Sequence, residues 1–230
     1  MSDVQILKQQ AAEYAVTHFI QPDMLVGLGE GTTAVFAVRK LAELIDQGTL
    51  TGITGIPCSR AVEETARQLG IPLVEFSEDT QIDVTIDGAD EVDPQLNLIK
   101  GGGGALLREK LVAQATTREV IVVDPSKLSP TLGTKWPVPI EVTPFGWESQ
   151  IGFLKSIGGK PERRLLADGS PYLTDQGSYI LDTRFSPIED PVSLAQTLKM
   201  HTGIVEHGLF IDLADDLVVA DQNGITHKKK

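Results

Sequence analysis

The sequence has one cysteine, Cys58, among 230 residues. That excludes an intramolecular disulfide and any cysteine cluster for zinc, and it fits a reducing compartment. Cys58 itself reads as a small, partly buried side chain. Basic residues are in deficit as well: 20 Lys and Arg stand against 32 Asp and Glu, a net charge of -12. Such a chain lacks the broad basic surface that nucleic acid or an anionic membrane demands, so positive charge for an anionic ligand must be concentrated locally. No apolar run approaches a membrane span. The stretch "MSDVQILKQQAAEYAVTHFI" lacks the basic start and apolar middle of a signal peptide. A cytoplasmic protein is expected, with no nucleic-acid or membrane partner. His18, His201, His207 and His227 are scattered and form neither a triad nor an H-E-x-x-H pair, so no catalytic role falls to them.

What remains is a globular chain, 41% hydrophobic and 23% charged, long enough for a main domain with a smaller one attached. Neither an internal repeat nor a low-complexity segment is visible. Over the first half, short apolar runs ("MLVGLG", "LTGITGI", "PLVEF", "DVTIDGAD", "NLIKGGGG", "REVIVVDPSK") alternate with helical patterns ("AAEYAVTHFI", "TAVFAVRKLAELI", "SRAVEETARQLG", "ALLREKLVAQA"). That order predicts βαβ units and a Rossmann-like, mostly parallel sheet. After "TLGTKWP" the order becomes strand, helix, strand, strand, helix, strand, which is the ferredoxin-like arrangement. The expected division is a catalytic domain of residues 1–132 and 208–230, with an inserted α+β domain of residues 133–207. "LFIDLADDLVVA" is read as the return to the first sheet, and the closing "HKKK" as a solvated tail.

In open α/β sheets ligands bind beyond the carboxyl ends of the strands. Four loops are expected there: Gly29 to Thr33, Asp87 to Asp93, Lys100 to Gly104, and Asp124 to Lys127. In "GLGEGTTA" a glycine turn enters a helix, presenting backbone N–H groups and the positive end of the helix dipole, with Thr32 and Thr33 as hydroxyl donors. The spacing is not the G-x-G-x-x-G of a dinucleotide site, and no Gly-Lys-Ser/Thr follows to make a P-loop. A tight turn with Thr32 or Thr33 as N-cap accounts for it equally. "DGADEVD" puts Asp87, Asp90, Glu91 and Asp93 within seven residues. A metal site is the weaker reading, because the calcium-loop pattern is missing; a turn at Asp87-Gly88 is the plain one. The functional reading has Asp87 and Asp90 binding sugar hydroxyls or handling protons.

"KGGGGALLREK" is the most informative stretch. Four consecutive glycines are entropically costly to order unless the backbone must come close to something, and Lys100 precedes them where an ammonium could face a phosphate or an oxyanion. Arg108, Glu109 and Lys110 span more than half of the next helix's circumference, so at least one is expected to face a cleft or interface. A partly desolvated Glu109 would suit a general base; a solvated or ion-paired carboxylate is the alternative. Lys127 in "VDPSK" stands at another strand end.

In order and spacing, "GLGEGTTA", "DGADEVD", "KGGGGALLREK" and "VDPSK" resemble the motifs of ribose-5-phosphate isomerase type A, and the similarity continues through "GGKPERRL" and "HGLF". The resemblance implies interconversion of D-ribose 5-phosphate and D-ribulose 5-phosphate, a step of the non-oxidative pentose phosphate pathway, without a metal or organic cofactor, in a homodimer or homotetramer. By the same resemblance Glu109 transfers the proton. Substrate is met by Glu30, Gly31, Thr32 and Thr33, by Asp87, Gly88, Ala89 and Asp90, by Lys100, Gly101, Gly102 and Gly103, and by Lys127. The chemistry fits: one carboxylate can move a proton between adjacent carbons while Lys100 and glycine N–H groups stabilise the enediolate oxygen. Asp87 is the candidate for ring opening and Asp90 for orienting hydroxyls, while Lys127, Thr32 and Thr33 are assigned to the phosphate.

Glu30 departs from the family pattern, which usually has threonine or serine there; it is expected to point toward sugar hydroxyls or a nearby cation. Leu107, where a small polar residue is common, is expected to alter packing only. The rival from another class is a non-catalytic sugar-phosphate sensor, or an isomerase with a shifted substrate. A sensor of the regulator type would carry a helix-turn-helix segment, for which the chain has no spare length or basic patch. An amino-sugar phosphate deaminase or an acyl-CoA transferase is opposed by "KGGGGALLREK".

Overall fold

The computed structural model describes residues 3–230. In chain order its elements are α1 (Asp3–Phe19), β1 (Leu25–Leu28), α2 (Ala34–Asp46), β2 (Thr54–Pro57), α3 (Arg60–Gln68), β3 (Ile82–Asp87), β4 (Glu91–Val92), β5 (Leu98–Ile99), α4 (Leu106–Gln114), β6 (Thr116–Val123), β7 (Val138–Val142), α5 (Trp147–Ser156), β8 (Lys160–Arg163), β9 (Tyr179–Arg184), α6 (Pro191–Lys199), β10 (Ile204–His207), β11 (Leu209–Phe210), β12 (Asp216–Asp221) and β13 (Gly224–Lys229). They fall into two units, one of Met1–Ala89, Arg108–Lys127 and Leu213–Lys230, the other of Asp90–Leu107 and Leu128–Asp212.

The first unit holds a six-stranded sheet in the order β13-β12-β6-β3-β1-β2, parallel except for β13. The inner strands β6 and β12 carry nearly unbroken apolar runs, "VIVV" and "LVVA", because helices must cover them. Alternate residues Val84, Ile86, Val120, Val122, Val218 and Ala220 share one core with Ala11, Ala12, Ala15 and Val16 of α1 and with Ala37, Val38 and Leu41 of α2. The small residues of α1 recur at spacings of three and four, which gives the helix a narrow face that can lie close on the sheet. From β1 the chain moves to β2 on one side and then to β3 on the other. The sheet therefore has its switch point between β1 and β3, where loops diverge and leave a crevice.

Two stretches of this unit differ from the expectation. "PLVEF" forms no strand; only Leu73 bridges Gly55, with the Val74 N–H donating to the Gly55 carbonyl. The closing "HKKK" lies in β13, which pairs with β12 as an edge strand. Its exposed lysines hid a strand whose ladder is made by backbone groups, and edge lysines also discourage pairing with a further chain. His227 on β13 places Nε2 2.6 Å from Oδ1 of the fully buried Asp216. Arg118 donates to the same carboxylate from Nε at 2.7 Å and Nη2 at 3.1 Å.

Burial alone would raise the Asp216 carboxyl, but the hydrogen bonds from Arg118 and His227 outweigh it and hold the group below its ordinary range. A carboxyl depressed in the folded state stabilises the fold above its unfolded value, near pH 4, and that contribution is lost as pH falls through the lower folded value. Arg118→Met is therefore expected to destabilise the protein at pH 7. With the Arg118 side chain 39% exposed, the loss should be about 1–2 kcal/mol. Thermal unfolding should show the gap between variant and wild type closing below about pH 4; a gap independent of pH would refute this account.

The second unit contains an antiparallel four-stranded sheet in the order β10-β7-β9-β8, with α5 and α6 in the connections, which is the expected ferredoxin-like order. Val138, Ile140, Val142 and Leu181 of this sheet pack with Leu154 of α5 and Leu198 of α6. A second small sheet, β11-β5-β4, belongs to the same unit. The unit boundaries thus differ from the expected division at residues 133 and 207. Asp90–Leu107 groups with the second unit because β5 pairs with β11, and because Lys100 N–H donates to Gly208 O at 2.9 Å. "LFIDLADDLVVA" is correspondingly split: Leu209–Phe210 pairs with β5, and only β12 returns to the large sheet.

Candidate active site

In the first unit β1, β3 and β6 are parallel neighbours, so the segments that follow them emerge at one edge of the sheet. Those segments are Gly29 to Thr33, Asp87 to Ala89, and Asp124 to Lys127. Three of the four expected loops therefore share a carboxyl edge. The fourth does not belong to that sheet, since Lys100 follows β5 in the small antiparallel sheet of the second unit.

Gly29 sits at the switch point. A side chain there would place its first carbon 2.4 Å from Asp87 Oδ1 and from the Ile86 carbonyl, so only glycine lets the two strand ends approach. Gly29 N–H donates to Ile86 O at 3.1 Å, and Glu30 N–H donates to Asp87 Oδ1 at 3.0 Å. Gly88 N–H donates to the same oxygen at 2.7 Å. The buried Asp87 carboxylate is thus fixed by two backbone amides, the kind of charge-assisted contact that can hold a carboxylate away from water. Glu30 thus ties the loop to Asp87 through its backbone N–H. Thr32 is exposed and Thr33 buried. Thr33 stands at the N-cap position of α2 but makes no side-chain capping bond, so the N-cap reading of the hydroxyl is not what the structure displays.

Sequence reading passed over Lys8. On α1 its Nζ donates to Thr32 Oγ1 at 2.8 Å, which puts a positive charge on the anion loop. The only signal was that Lys8 is the single lysine of α1. Lys127, the other cation of this unit's loops, ends a 3-10 turn after β6, its N–H donating to Asp124 O at 3.1 Å.

On α4 the polarity is reversed relative to an ordinary surface helix. Glu109 and Lys110 are each 6% exposed, while Leu111 is 50% exposed. The expectation that the Arg108–Lys110 run could not all face solvent holds, and Glu109 is one of the residues turned inward. A buried carboxylate on a rigid helix has few rotamers and little water around it, which suits a proton carrier.

In the second unit Lys100 is 2% exposed, among the largest fully buried side chains of the described residues, with Nζ 5.6 Å from the centre of the Phe210 ring. Gly102 N–H donates to Asp90 Oδ2 at 2.7 Å. A side chain at position 102 would put its first carbon 2.6 Å from Asp90 Oδ1, so glycine is needed for that approach. The other two acids of "DGADEVD" do different work. Asp93 closes its own turn, accepting from Gln95 N–H, Asn97 N–H and Asn97 Nδ2 at 2.8–2.9 Å. Glu91 accepts from the backbone N–H groups of Gly133, Thr134, Lys135 and Trp136 at 2.9–3.3 Å. Alternation along β4 sends neighbouring acids to different partners. Among the described residues no group of three or more His, Cys, Asp or Glu side chains is arranged to hold a metal ion, and no helix is long and apolar enough to cross a membrane.

The family model described as ribose 5-phosphate isomerase A (phosphoriboisomerase A) matches residues 54–224. The chain belongs to the ribose 5-phosphate isomerase A family. Ribose-5-phosphate isomerase A of Chloroflexus aurantiacus is 54% identical over 96% of this chain and 92% of its own. That of Desulfatibacillum aliphaticivorans is 51% identical over 100% and 99%. The solved ribose 5-phosphate isomerase from Plasmodium falciparum superposes with a TM-score of 0.96 at 39% identity, covering 98% of this chain and 99% of that one. Since family members match from end to end, both units belong to the family's fold.

Proposed function

We propose that this protein interconverts D-ribose 5-phosphate and D-ribulose 5-phosphate through an enediolate, with no metal or organic cofactor. Full-length membership of the isomerase family is the observation that carries this reading; the buried carboxylate of Glu109, on a helix that follows the glycine loop directly, supports the chemistry.

Asp87 assists ring opening by proton exchange with the ring oxygen. In the open aldose the Glu109 carboxylate removes the C2 proton, and the C2–H electron pair forms the C1–C2 double bond as the carbonyl electrons move to O1. The Lys100 ammonium and glycine-loop N–H groups stabilise the resulting oxyanion. Glu109 then returns its proton to C1 while the O2 proton passes to O1. In sum, one proton has moved from C2 to C1 and one from O2 to O1. Asp90 orients hydroxyls. Thr32, Thr33, Lys127 and, added from the geometry, Lys8 bind the phosphate and fix the register of the sugar.

Formation of ribulose 5-phosphate by chelator-treated protein tests the whole reading; loss of turnover on chelation would overturn the metal-free mechanism. In the same assay Lys8→Ala should raise KM about tenfold, the weight of one charge-assisted contact, with kcat little changed. An unchanged KM would remove Lys8 from the phosphate site. We place the enzyme in the cytoplasm, and we propose a homodimer or homotetramer. Exposed Leu165, Leu166 and Leu173, between β8 and β9, offer apolar surface to a second copy. Sedimentation as a monomer would refute that assembly.

A further inference from the structure

A run of four glycines has no side chains with which to hold its own shape, and glycine has the widest backbone freedom of any residue. In the second unit this loop is gripped from outside. Arg164 Nη1 donates to the carbonyl oxygens of Gly101 and Gly102, both at 3.0 Å. Tyr172 Oη donates to Gly103 O at 3.0 Å. Three successive carbonyls are therefore held by two side chains. In a trans peptide the N–H points opposite to the C=O, so fixing these oxygens also fixes the directions of the N–H groups of Gly102, Gly103 and Gly104. The first of these meets Asp90 and the last donates to the Gly101 carbonyl at 3.0 Å, so the Gly103 N–H is the one the loop can offer to a ligand.

The grip is itself braced. Arg164 makes a bidentate pair with Asp182 of β9, Nε to Oδ2 at 2.8 Å and Nη2 to Oδ1 at 2.6 Å. Its backbone N–H donates to Ile180 O at 2.8 Å, and Tyr172 N–H donates to Arg164 O at 3.1 Å. The guanidinium carbon lies 5.7 Å from the centre of the Tyr172 ring. Only a planar fork can face a carboxylate with one edge and two carbonyls with another nitrogen; a lysine could satisfy one partner set but not both.

We infer that Arg164, braced by Asp182 and assisted by Tyr172, is a positioning residue of the isomerase, which sets the glycine loop in the shape that aligns Lys100 and the Gly103 N–H with the enediolate oxygen. This rests on the assignment of Lys100 to Gly103 to the oxyanion. Arg164 touches carbonyls, which a developing negative charge would repel, so it acts through the loop and not on the substrate.

The test compares Arg164→Lys, Tyr172→Phe and Lys100→Gln with wild type in kcat, KM, thermal midpoint and affinity for two probes, inorganic phosphate and the carboxylate analogue phospho-erythronic acid. Misplacing catalytic groups by about an ångström costs on the order of 100-fold in rate. Arg164→Lys should accordingly lower kcat about 10- to 100-fold and weaken the carboxylate analogue in step, leaving KM and phosphate binding within about twofold. Tyr172→Phe should lower kcat by a smaller factor, about threefold, as expected for one neutral hydrogen bond, at an unchanged thermal midpoint. A kcat within twofold of wild type in folded Arg164→Lys overturns the inference. Should that variant fail to fold, an unchanged kcat in Tyr172→Phe overturns it instead. Retention of full turnover by Lys100→Gln would strike the oxyanion assignment beneath it, whereas a crippled Lys100→Gln beside a normal Arg164→Lys strikes the inference alone.

Discussion

Glu109→Gln is expected to remove nearly all turnover while substrate binding stays near its original strength. The amide has the shape of the carboxylate and occupies the same buried position on α4, but it cannot accept a proton from carbon. General base catalysis by a placed side chain is worth about 10²–10⁴-fold. Because the same carboxylate both removes and returns the proton here, a loss at the upper end, about 10³-fold or more, is expected. The decisive comparison is the rate of ribulose 5-phosphate formation at saturating substrate against the dissociation constant for the substrate. A kcat within tenfold of wild type would withdraw the base assignment and turn attention to Asp87, another buried carboxylate of the first unit.

Glu91→Ala should do its damage to the fold. The Glu91 carboxylate is wholly buried and accepts from four consecutive backbone amides, Gly133 to Trp136. Each buried donor left without an acceptor costs about 1–3 kcal/mol. Even if water reaches half of them, a loss of about 4 kcal/mol remains, a large share of the 5–15 kcal/mol that holds an ordinary domain together. Both tryptophans of the sequence, Trp136 and Trp147, lie in the second unit, so their fluorescence during urea unfolding reports on that unit. The transition should move to much lower urea, and Glu91→Gln, which keeps one acceptor oxygen, should fall between. A midpoint equal to that of wild type would mean that the loop has other means of support.

The acids around Glu91 show how much of the site a sequence conveys. Asp87, Asp90, Glu91 and Asp93 stand within seven residues and share one chemistry, yet one is tied to the β1 loop, one to the glycine loop, one to residues 133–136 and one to its own turn. Their partners are up to 57 residues away in the chain, and periodicity carries no information over that distance. The strands β6 and β12 were legible because burial on both faces demands an apolar run such as "VIVV" or "LVVA". The loops were legible because glycine runs are costly without a reason. The edge strand β13 was not, since nothing in Gly224–Lys229 distinguishes a paired backbone from a solvated one. The placement of Asp90–Leu107 was likewise decided by contacts with residues more than a hundred positions downstream, such as Lys100 with Gly208. Lys8 and Arg164 matter only through what they touch, Thr32 in one case and the carbonyls of Gly101 and Gly102 in the other.

The start of α2 divides its labour differently from the starts of α3 and α6. Ser59 closes the first turn of α3 and Asp190 that of α6, each accepting a backbone N–H three residues on. Thr33 makes no such bond for α2; the N–H groups of Val35 and Phe36 donate instead to the carbonyls of Gly31 and Thr33, both at 3.1 Å. The first turn of α2 therefore closes on main-chain bonds and does not draw on the hydroxyl of its own capping residue. On the proposed reading that hydroxyl serves the substrate's phosphate, so recognition and helix formation are divided between the side chain and the backbone of one residue.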